Sequence, residues 1–294
     1  MLFSARQRII CFKVDIENDL ALMGAMRMEP MQRYYHSRHG GDYMFAADYN
    51  MPRLKEYFTG QMCEFIEIAV RKAEPYIAIK KLLGALSDAL SVKTALHRDF
   101  MRQDGVSGRL YRAFINNYFK LMPGSRYLEL GAHDGTAFLA ALWGNSLEAL
   151  AVDEWNIKEE SRRLFMNNLM CINAPEARFG MLDKSLGEIF PKALGPRSAL
   201  FCFRNCHPDP GLLDNILVST PETPALLVVD SWNFGPRRED WLNALEQSKF
   251  EAAVAIGVRT SLDDVQYVSI EATRWSNGYF IGLLVPRGQA AVYL

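Results

Sequence analysis

The spacing of apolar and polar residues changes near residue 123 of this chain. Between residues 53 and 121, apolar side chains recur three and four positions apart, which is typical of amphipathic helices. We predict three helices there, within residues 53–74, 76–100 and 108–121. The first has an apolar face of six residues: Leu54, Phe58, Met62, Phe65, Ile66 and Ala69. Before it, residues 8–18 could form a strand, and residues 28–52 read as irregular because they hold glycine and helix-breaking residues.

After Pro123, short β-rich runs alternate with helical runs. The runs that predict strands are RYLEL, LEALAVD, ARFGML, SALFCF, PALLVVD and FEAAVAIGV, followed by DVQYVSIEA and GYFIGLLVP with little helix between them. Apolar strands that alternate with helices indicate an α/β fold whose parallel sheet is buried on both faces. The short link between the last strands predicts an antiparallel pair at the end of the chain.

Composition and charge exclude several classes of protein. The 294 residues are 49% hydrophobic and 23% charged, with a formal net charge of -1, as in an ordinary globular protein. No segment gathers enough Lys and Arg to predict nucleic-acid binding. No apolar run approaches the ~20 residues of a membrane helix, and no signal peptide is recognisable. The five cysteines contain no C-x-x-C pair, so we expect free thiols in a reducing cytoplasm.

A glycine turn, ELGAHDG, follows the first strand after Pro123. In an open α/β sheet, ligands bind at the carboxyl ends of the strands, and glycines there let the backbone approach a ligand. The turn lacks the middle glycine of the dinucleotide motif G-x-G-x-x-G. Its two acids, Glu129 and Asp134, would repel a pyrophosphate but suit a ligand that carries cationic groups.

With these residues, the region from about Tyr111 to the C-terminus resembles the class I S-adenosylmethionine-dependent methyltransferases. The resemblance implies a Rossmann-like, doubly wound, mostly parallel seven-stranded sheet with a C-terminal antiparallel strand. It also implies S-adenosylmethionine as cofactor, with an acid after the second strand on the ribose hydroxyls and residues after the third near the adenine. The matching positions are Glu129, Gly131, Ala132, Gly135, Asp153, Leu182 and Asp183. Residues 111–294 would form this domain, preceded by a mainly helical region, 1–110, that acts as a lid or in oligomerisation.

The ends of the fourth and fifth strands, FCFRNCHPDP and LLVVDSW, concern the methyl acceptor. Together with RWSNGYFIGLLVP, they resemble the small-molecule O-methyltransferases that act on macrolide and aminocoumarin sugars. Several of those enzymes hold magnesium with acids after these strands. Here Arg204, Asn205, Cys206 and Ser231 replace such acids, and one carboxylate is a poor Mg²⁺ site. We therefore expect no metal.

Proton removal from an acceptor hydroxyl would fall to His207, whose ordinary pKa near 6.5 suits a base at neutral pH. Asp230 would orient His207 or act itself. Structural alternatives remain for both: a helix-capping or hydrogen-bonded histidine before Pro208, and a carboxylate that caps the turn after the fifth strand. Arg204, Arg237 and Arg238 could bind an anionic acceptor or lie on a solvated face, and His133 could face the substrate.

The sequence thus predicts an enzyme that methylates a small-molecule hydroxyl, with no nucleic-acid or membrane partner. The amphipathic N-terminal helices are compatible with a homodimer. Two other functions stay open: a non-catalytic methyltransferase-like scaffold, which the altered acid set allows, and a nicotinamide oxidoreductase, against which the missing glycine argues.

Overall fold

The structure is a computed structural model. It describes residues 8–14, 33–36, 42–45, 64–70 and 76–288, with gaps at 104, 156–158, 173, 186–187, 189–190, 204–205, 221 and 260–274. The strands are β1 (Arg8–Val14), β2 (Arg33–His36), β3 (Asp42–Phe45), β4 (Glu64–Val70), β5 (Ser125–Leu130), β6 (Leu147–Asp153), β7 (Arg178–Asp183), β8 (Ala199–Cys202), β9 (Ala225–Asp230), β10 (Phe250–Arg259) and β11 (Tyr279–Pro286). The helices are α1 (Tyr76–Leu90), α2 (Arg98–Arg102), α3 (Arg109–Leu121), α4 (Thr136–Leu142), α5 (Glu159–Leu169), α6 (Pro210–Ile216) and α7 (Gly235–Gln247), with a 3₁₀ turn at Pro191–Leu194.

The predicted α/β sheet is confirmed. Nine strands pair in the order β1-β4-β10-β11-β9-β8-β5-β6-β7. Strands β5 to β9 pair in parallel, whereas β11 lies antiparallel between β9 and β10. The seven strands from β5 onward therefore form the mostly parallel sheet with a C-terminal antiparallel strand that the resemblance implies. The predicted strand in residues 264–272 lies outside the described residues.

The N-terminal region differs from its prediction. Residues 64–70 form strand β4, not part of a helix, and β4 pairs with β10 and β1 to extend the sheet. The run EFIEIAV also places β-branched residues at every second position, a strand period that the longer helical pattern concealed. Residues predicted to be irregular contain β2 and β3, which pair antiparallel. The predicted strand near residue 8 and the helix α3 are confirmed. The helix predicted over residues 76–100 is divided into α1, which ends at Leu90, and α2, which begins at Arg98.

Two apolar layers cover the parallel strands. On β5, alternation sends Leu128 and Leu130 into the layer with α6 and α7, and sends Tyr127 into the layer with α1, α3 and α4. Helix α3 is buried along almost its whole length and ends just before Pro123, which cannot continue a helix. Because the sheet order reverses around β5, with β6 on one side and β8 on the other, their carboxyl ends form a switch point where α/β folds bind ligands.

Candidate functional site

The glycine turn lies at this switch point. Strand β5 ends at Leu130, and the turn carries three residues with positive φ: Gly131 at 81°, His133 at 49° and Gly135 at 76°. The backbone N–H groups of Gly131 and Ala132 both donate to the carbonyl of Val152 at the end of β6. These two backbone bonds fix the start of the turn to the neighbouring strand.

Both glycines of the turn are required by internal packing. A Cβ on Gly135 would lie 2.4 Å from the ring of Phe165 in α5, and a Cβ on Gly131 would lie 3.0 Å from Cβ of Phe203. From the sequence, these glycines were expected to allow close approach by a ligand. The structure adds a second reason, because neighbouring aromatic side chains already occupy the space beside each of them.

Asp153 joins the end of β6 to the turn. Its Oδ2 accepts a hydrogen bond from the backbone N–H of His133 at 2.7 Å, and its Oδ1 accepts from the N–H of Glu154 at 2.7 Å. The side chain is buried. Each carboxylate oxygen has two lone pairs and can take part in more than one hydrogen bond.

The third predicted position lies beside Asp153. The register of β6 and β7 pairs Val152 with Leu182 and Asp153 with Asp183, and the N–H of Lys184 donates to the carbonyl of Asp153 at 3.0 Å. The ordered set that the sequence suggested is thus brought together at one edge of the sheet. Asp183 is exposed there, whereas Asp153 is buried.

Glu129 lies beneath the turn, not in it. Alternation along β5 places it on the face of Tyr127, whose hydroxyl donates to Oε2 at 2.6 Å, and its exposed fraction is 1%. Burial raises the pKa of Glu129 well above its ordinary value, and the charges of Asp134 and Asp153 raise it further against the opposing hydrogen bond from Tyr127. Burial therefore disfavours the charged carboxylate that a cationic ligand would need as its partner.

Asp134, the other acid in the turn, is bonded within the chain. Its Oδ1 accepts from the N–H and the hydroxyl of Thr136 at the start of α4, and its Oδ2 accepts from the N–H of Val106 at 3.0 Å. The sequence indicated paired acids that await a cationic ligand, and it gave no sign of these internal bonds.

Val106 belongs to a segment whose role the sequence did not indicate, residues 105–108, which we call the strap. Ser107 bonds to Thr136 through their hydroxyls at 2.8 Å, and the N–H of Gly108 donates to the hydroxyl of Tyr279 at 3.3 Å. The buried guanidinium of Arg112 donates to Ser107 Oγ at 3.0 Å. The strap links the glycine turn to the start of β11. Two glycines were its only local sequence signal.

The side chain of His133 projects from the turn toward α5. Its Nε2 lies 3.1 Å from Ser161 Oγ, and its carbonyl accepts from the indole N–H of Trp155 at 2.8 Å. Its Nδ1 is buried and has no hydrogen-bond partner among the described residues. An unpaired buried polar atom costs about 1–3 kcal/mol, and a positive φ at a residue other than glycine costs on the order of 1–3 kcal/mol.

The ends of β8 and β9 are joined by a buried ion pair. Arg237 Nη2 lies 3.1 Å from Asp230 Oδ1, and the guanidinium also donates to the carbonyls of Asp230, Cys206 and Cys202. Arg237 is therefore committed to internal bonds, which corrects the suggestion that it faces solvent or an anionic acceptor. Arg238 likewise donates to the carbonyls of Trp232 and Asn233. Arg204 and Asn205 lie outside the described residues.

His207 follows Cys206 and is exposed, unlike buried Asp230. The bond from Arg237 to the Cys206 carbonyl fixes the chain immediately before His207. Helix α6 is capped by Asp209, which accepts from the N–H of Gly211, and not by His207. The structural alternative of a capping histidine is thus wrong for this helix.

The residues present fit an adenosyl group better than a metal. Asp153 can accept from ribose hydroxyls, Leu182 supplies an apolar edge beside it, and His133 supplies an unpaired polar atom in the same turn. Among the described residues, no three His, Cys, Asp or Glu side chains form a group that could hold a metal ion. Within the same part of the chain, no helix has the length and apolar character needed to cross a membrane.

No protein-family model matches the sequence, and no curated protein matches it significantly. Solved structures give distant likenesses. A precorrin-6y C5,15-methyltransferase from Geobacter metallireducens is 14% identical over 60% of this chain and 86% of its own, with a TM-score of 0.40. The CurJ carbon methyltransferase is 13% identical over 90% and 79%, with a TM-score of 0.39. An SAH-bound methyltransferase from Podospora anserina is 12% identical over 82% and 98%, with a TM-score of 0.36. Likeness at this level carries no argument about function, which rests on the chain's own residues.

Proposed function

We propose that the protein is an S-adenosylmethionine-dependent methyltransferase. One observation carries the proposal: the glycine turn, Asp153 and the Leu182–Asp183 pair lie together at the carboxyl edge of β5, β6 and β7. The edge adjoins the switch point of the sheet, where α/β folds place nucleotides. The missing middle glycine favours an adenosyl cofactor without pyrophosphate over a dinucleotide.

The cofactor contacts that we propose follow the order of the strands. Gly131, Ala132 and Gly135 line the turn, Asp153 accepts from the ribose hydroxyls, and Leu182 with Asp183 borders the adenine. Glu129 lies beneath the turn, where its carboxyl accepts the hydroxyl of Tyr127. When bound, S-adenosylmethionine supplies an electrophilic methyl group on its sulfonium.

The acceptor we propose is a small molecule with a hydroxyl group. His207 takes the proton from that hydroxyl, and its exposure after the end of β8 supports this role. Asp230 supports it from the end of β9 through Arg237, which bonds the Cys206 carbonyl next to His207. No metal is needed in this arrangement. A homodimer and a cytoplasmic location remain predictions.

Thermal unfolding with added ligands tests the proposal. S-adenosylmethionine or its demethylated product at about 100 times Kd should stabilise the fold by ~2.7 kcal/mol, a rise in Tm of roughly 5–10 °C for a chain of this size. NADH at the same concentration should give no rise. A rise with NADH alone would instead support the oxidoreductase.

A second candidate, the non-catalytic scaffold, is favoured by one observation. Four buried acids already form hydrogen bonds or an ion pair within the chain: Glu129, Asp134, Asp153 and Asp230. A scaffold would keep its cellular function when Asp153→Ala abolishes cofactor binding. An enzyme would lose it.

A further inference from the structure

His133 combines two unfavourable features in the centre of the glycine turn. Its backbone has a φ of 49°, a region that side chains other than glycine rarely adopt. Its Nδ1 is buried without a hydrogen-bond partner among the described residues. Glycine adopts this φ without strain, as Gly131 and Gly135 do two positions to either side, so the backbone does not need an imidazole here. Strain and an unpaired polar atom at one residue of a ligand-binding edge indicate that the side chain serves a ligand.

The surroundings of the ring define where that ligand group lies. Nε2 faces Ser161 of α5 at 3.1 Å, and the ring centroid lies 6.4 Å from that of Phe203 after β8. The backbone N–H of the same residue donates to Asp153. The imidazole therefore stands between the ends of β6 and β8, next to the carboxylate that would accept from ribose.

The hydrogen-bonding chemistry of Nδ1 limits which ligand groups can bond to it. If Ser161 donates to Nε2, the neutral ring carries its proton on Nδ1, which then needs an acceptor. If Nε2 donates to Ser161, Nδ1 needs a donor. A hydroxyl satisfies Nδ1 in either tautomer, because it can donate or accept. A carboxylate or an ammonium group satisfies only one of them. The nearby charge of Asp153 also opposes an anionic ligand group at this point.

We propose that Nδ1 of His133 hydrogen-bonds a ribose hydroxyl of the cofactor and so helps to select an adenosyl ligand. This inference rests on the proposed function. It adds a ribose contact that comes from the glycine turn itself, opposite the contact from Asp153. His133 is a binding residue in this account and takes no part in proton removal.

The test is a thermodynamic cycle measured by calorimetry on the full chain. S-adenosylhomocysteine and its 2′-deoxy and 3′-deoxy analogues are titrated into the wild-type protein and His133→Gly. Glycine is compatible with the positive φ, so the turn is preserved. We expect His133→Gly to bind S-adenosylhomocysteine about tenfold more weakly, the loss of one hydrogen bond to a buried group. For one of the two deoxy analogues, the same substitution should change the affinity less than twofold, because the partner hydroxyl is already missing.

Two further variants separate binding from folding. Val92→Gly changes another non-glycine residue of positive φ, 55°, in an exposed turn after α1, and should leave all affinities unchanged. His133→Asn tolerates positive φ and keeps a polar group, so it should bind S-adenosylhomocysteine more tightly than His133→Gly. Thermal unfolding without ligand should show all three variants folded. If His133→Gly does not fold, the cycle is run with His133→Asn.

The outcomes are distinct for the two proposals. If the wild type binds no S-adenosylhomocysteine, the proposed function fails. If the wild type binds it and His133→Gly weakens S-adenosylhomocysteine and both deoxy analogues equally, the ribose assignment is overturned while the proposed function stands. Unchanged affinity in His133→Gly overturns it as well. The ribose assignment is supported if the effect of His133→Gly on affinity disappears for one of the two deoxy analogues and persists for the other.

Discussion

The carboxylate of Asp153 accepts the backbone N–H of His133 at 2.7 Å, across the gap between β6 and the glycine turn. Twenty residues separate the two in sequence. The same carboxylate accepts the N–H of Glu154. One side chain therefore fixes the turn and presents oxygens to the edge where we place the ribose.

Replacing Asp153 should affect stability even without ligand. Asp153→Asn keeps one acceptor oxygen, so one of the two backbone N–H groups loses its partner. We expect a loss of about 1–3 kcal/mol in the free energy of unfolding, measured by urea denaturation. Glu154→Gln is the neighbouring control and should change it by less than ~0.5 kcal/mol. Equal stability of Asp153→Asn and the wild type would show that these bonds contribute little.

Gly135 should be sensitive to its side-chain space as well as to its backbone. Gly135→Ala would place a Cβ 2.4 Å from the ring of Phe165 at a φ of 76°. Gly124 has nearly the same φ, 75°, and a Cβ added there would meet nothing within 4 Å. Both substitutions incur the backbone cost of roughly 1–2 kcal/mol. Gly135→Ala should lose a further ~1–3 kcal/mol from overpacking, and equal losses would contradict this packing.

The buried carboxyl of Glu129 should make the free energy of unfolding depend on pH. Burial raises the pKa of Glu129 in the folded state above its ordinary value of 4.5. Between those two pKa values the folded state holds the proton and the unfolded state has lost it, so stability falls as pH rises. Glu129→Gln, which resembles the neutral carboxyl, should therefore be more stable than the wild type at pH 8.

The advantage of Glu129→Gln should disappear as pH falls toward 4.5, where the carboxyl is protonated in both states. Denaturation of both proteins across this range measures it. Glu176→Gln, at an exposed carboxylate, is the control, and its difference in stability from the wild type should not change with pH. A constant difference between Glu129→Gln and the wild type at all pH values would exclude the raised pKa as its cause.

Arg237 should contribute strongly to stability through its bonds to the ends of β8 and β9. Arg237→Met removes the partner of buried Asp230 and leaves three carbonyls without this donor. We expect a loss of about 3–5 kcal/mol, against less than ~0.5 kcal/mol for exposed Arg163→Met. Adding Asp230→Asn to Arg237→Met should recover part of the loss, because the buried charge is then removed. No recovery would mean that the carbonyl bonds, not the ion pair, carry the effect.

Local patterns predicted the part of the chain where strands and helices alternate. The run LEALAVD and the helix-forming residues around it predict β6 and α5, and the register then brings Asp153 to the turn. The spacing of apolar residues gave a wrong prediction at Glu64–Val70, because a short apolar run can match both a helix and a strand. Its pairing with β10 involves residues nearly two hundred positions away.

The parts of the site that the sequence did not predict depend on contacts between residues that are distant in sequence. The strap contacts Tyr279 and Ser276, each about 170 positions away. The internal bonds of Asp134 and the ion pair of Arg237 likewise arise only when separate elements meet. The sequence could indicate which acids lie at the ends of the strands. It could not indicate which of them form hydrogen bonds or ion pairs within the chain.

The most direct test of the central claim is calorimetric titration of S-adenosylhomocysteine into the wild-type protein, Asp153→Ala and Glu154→Ala. We predict one-to-one binding to the wild type and to Glu154→Ala, and at least tenfold weaker binding to Asp153→Ala, about 1.4 kcal/mol or more. Asp153→Ala must be shown to be folded by its unfolding transition. Absence of binding to the wild type, or equal affinity in a folded Asp153→Ala, would contradict an adenosyl site at this edge of the sheet.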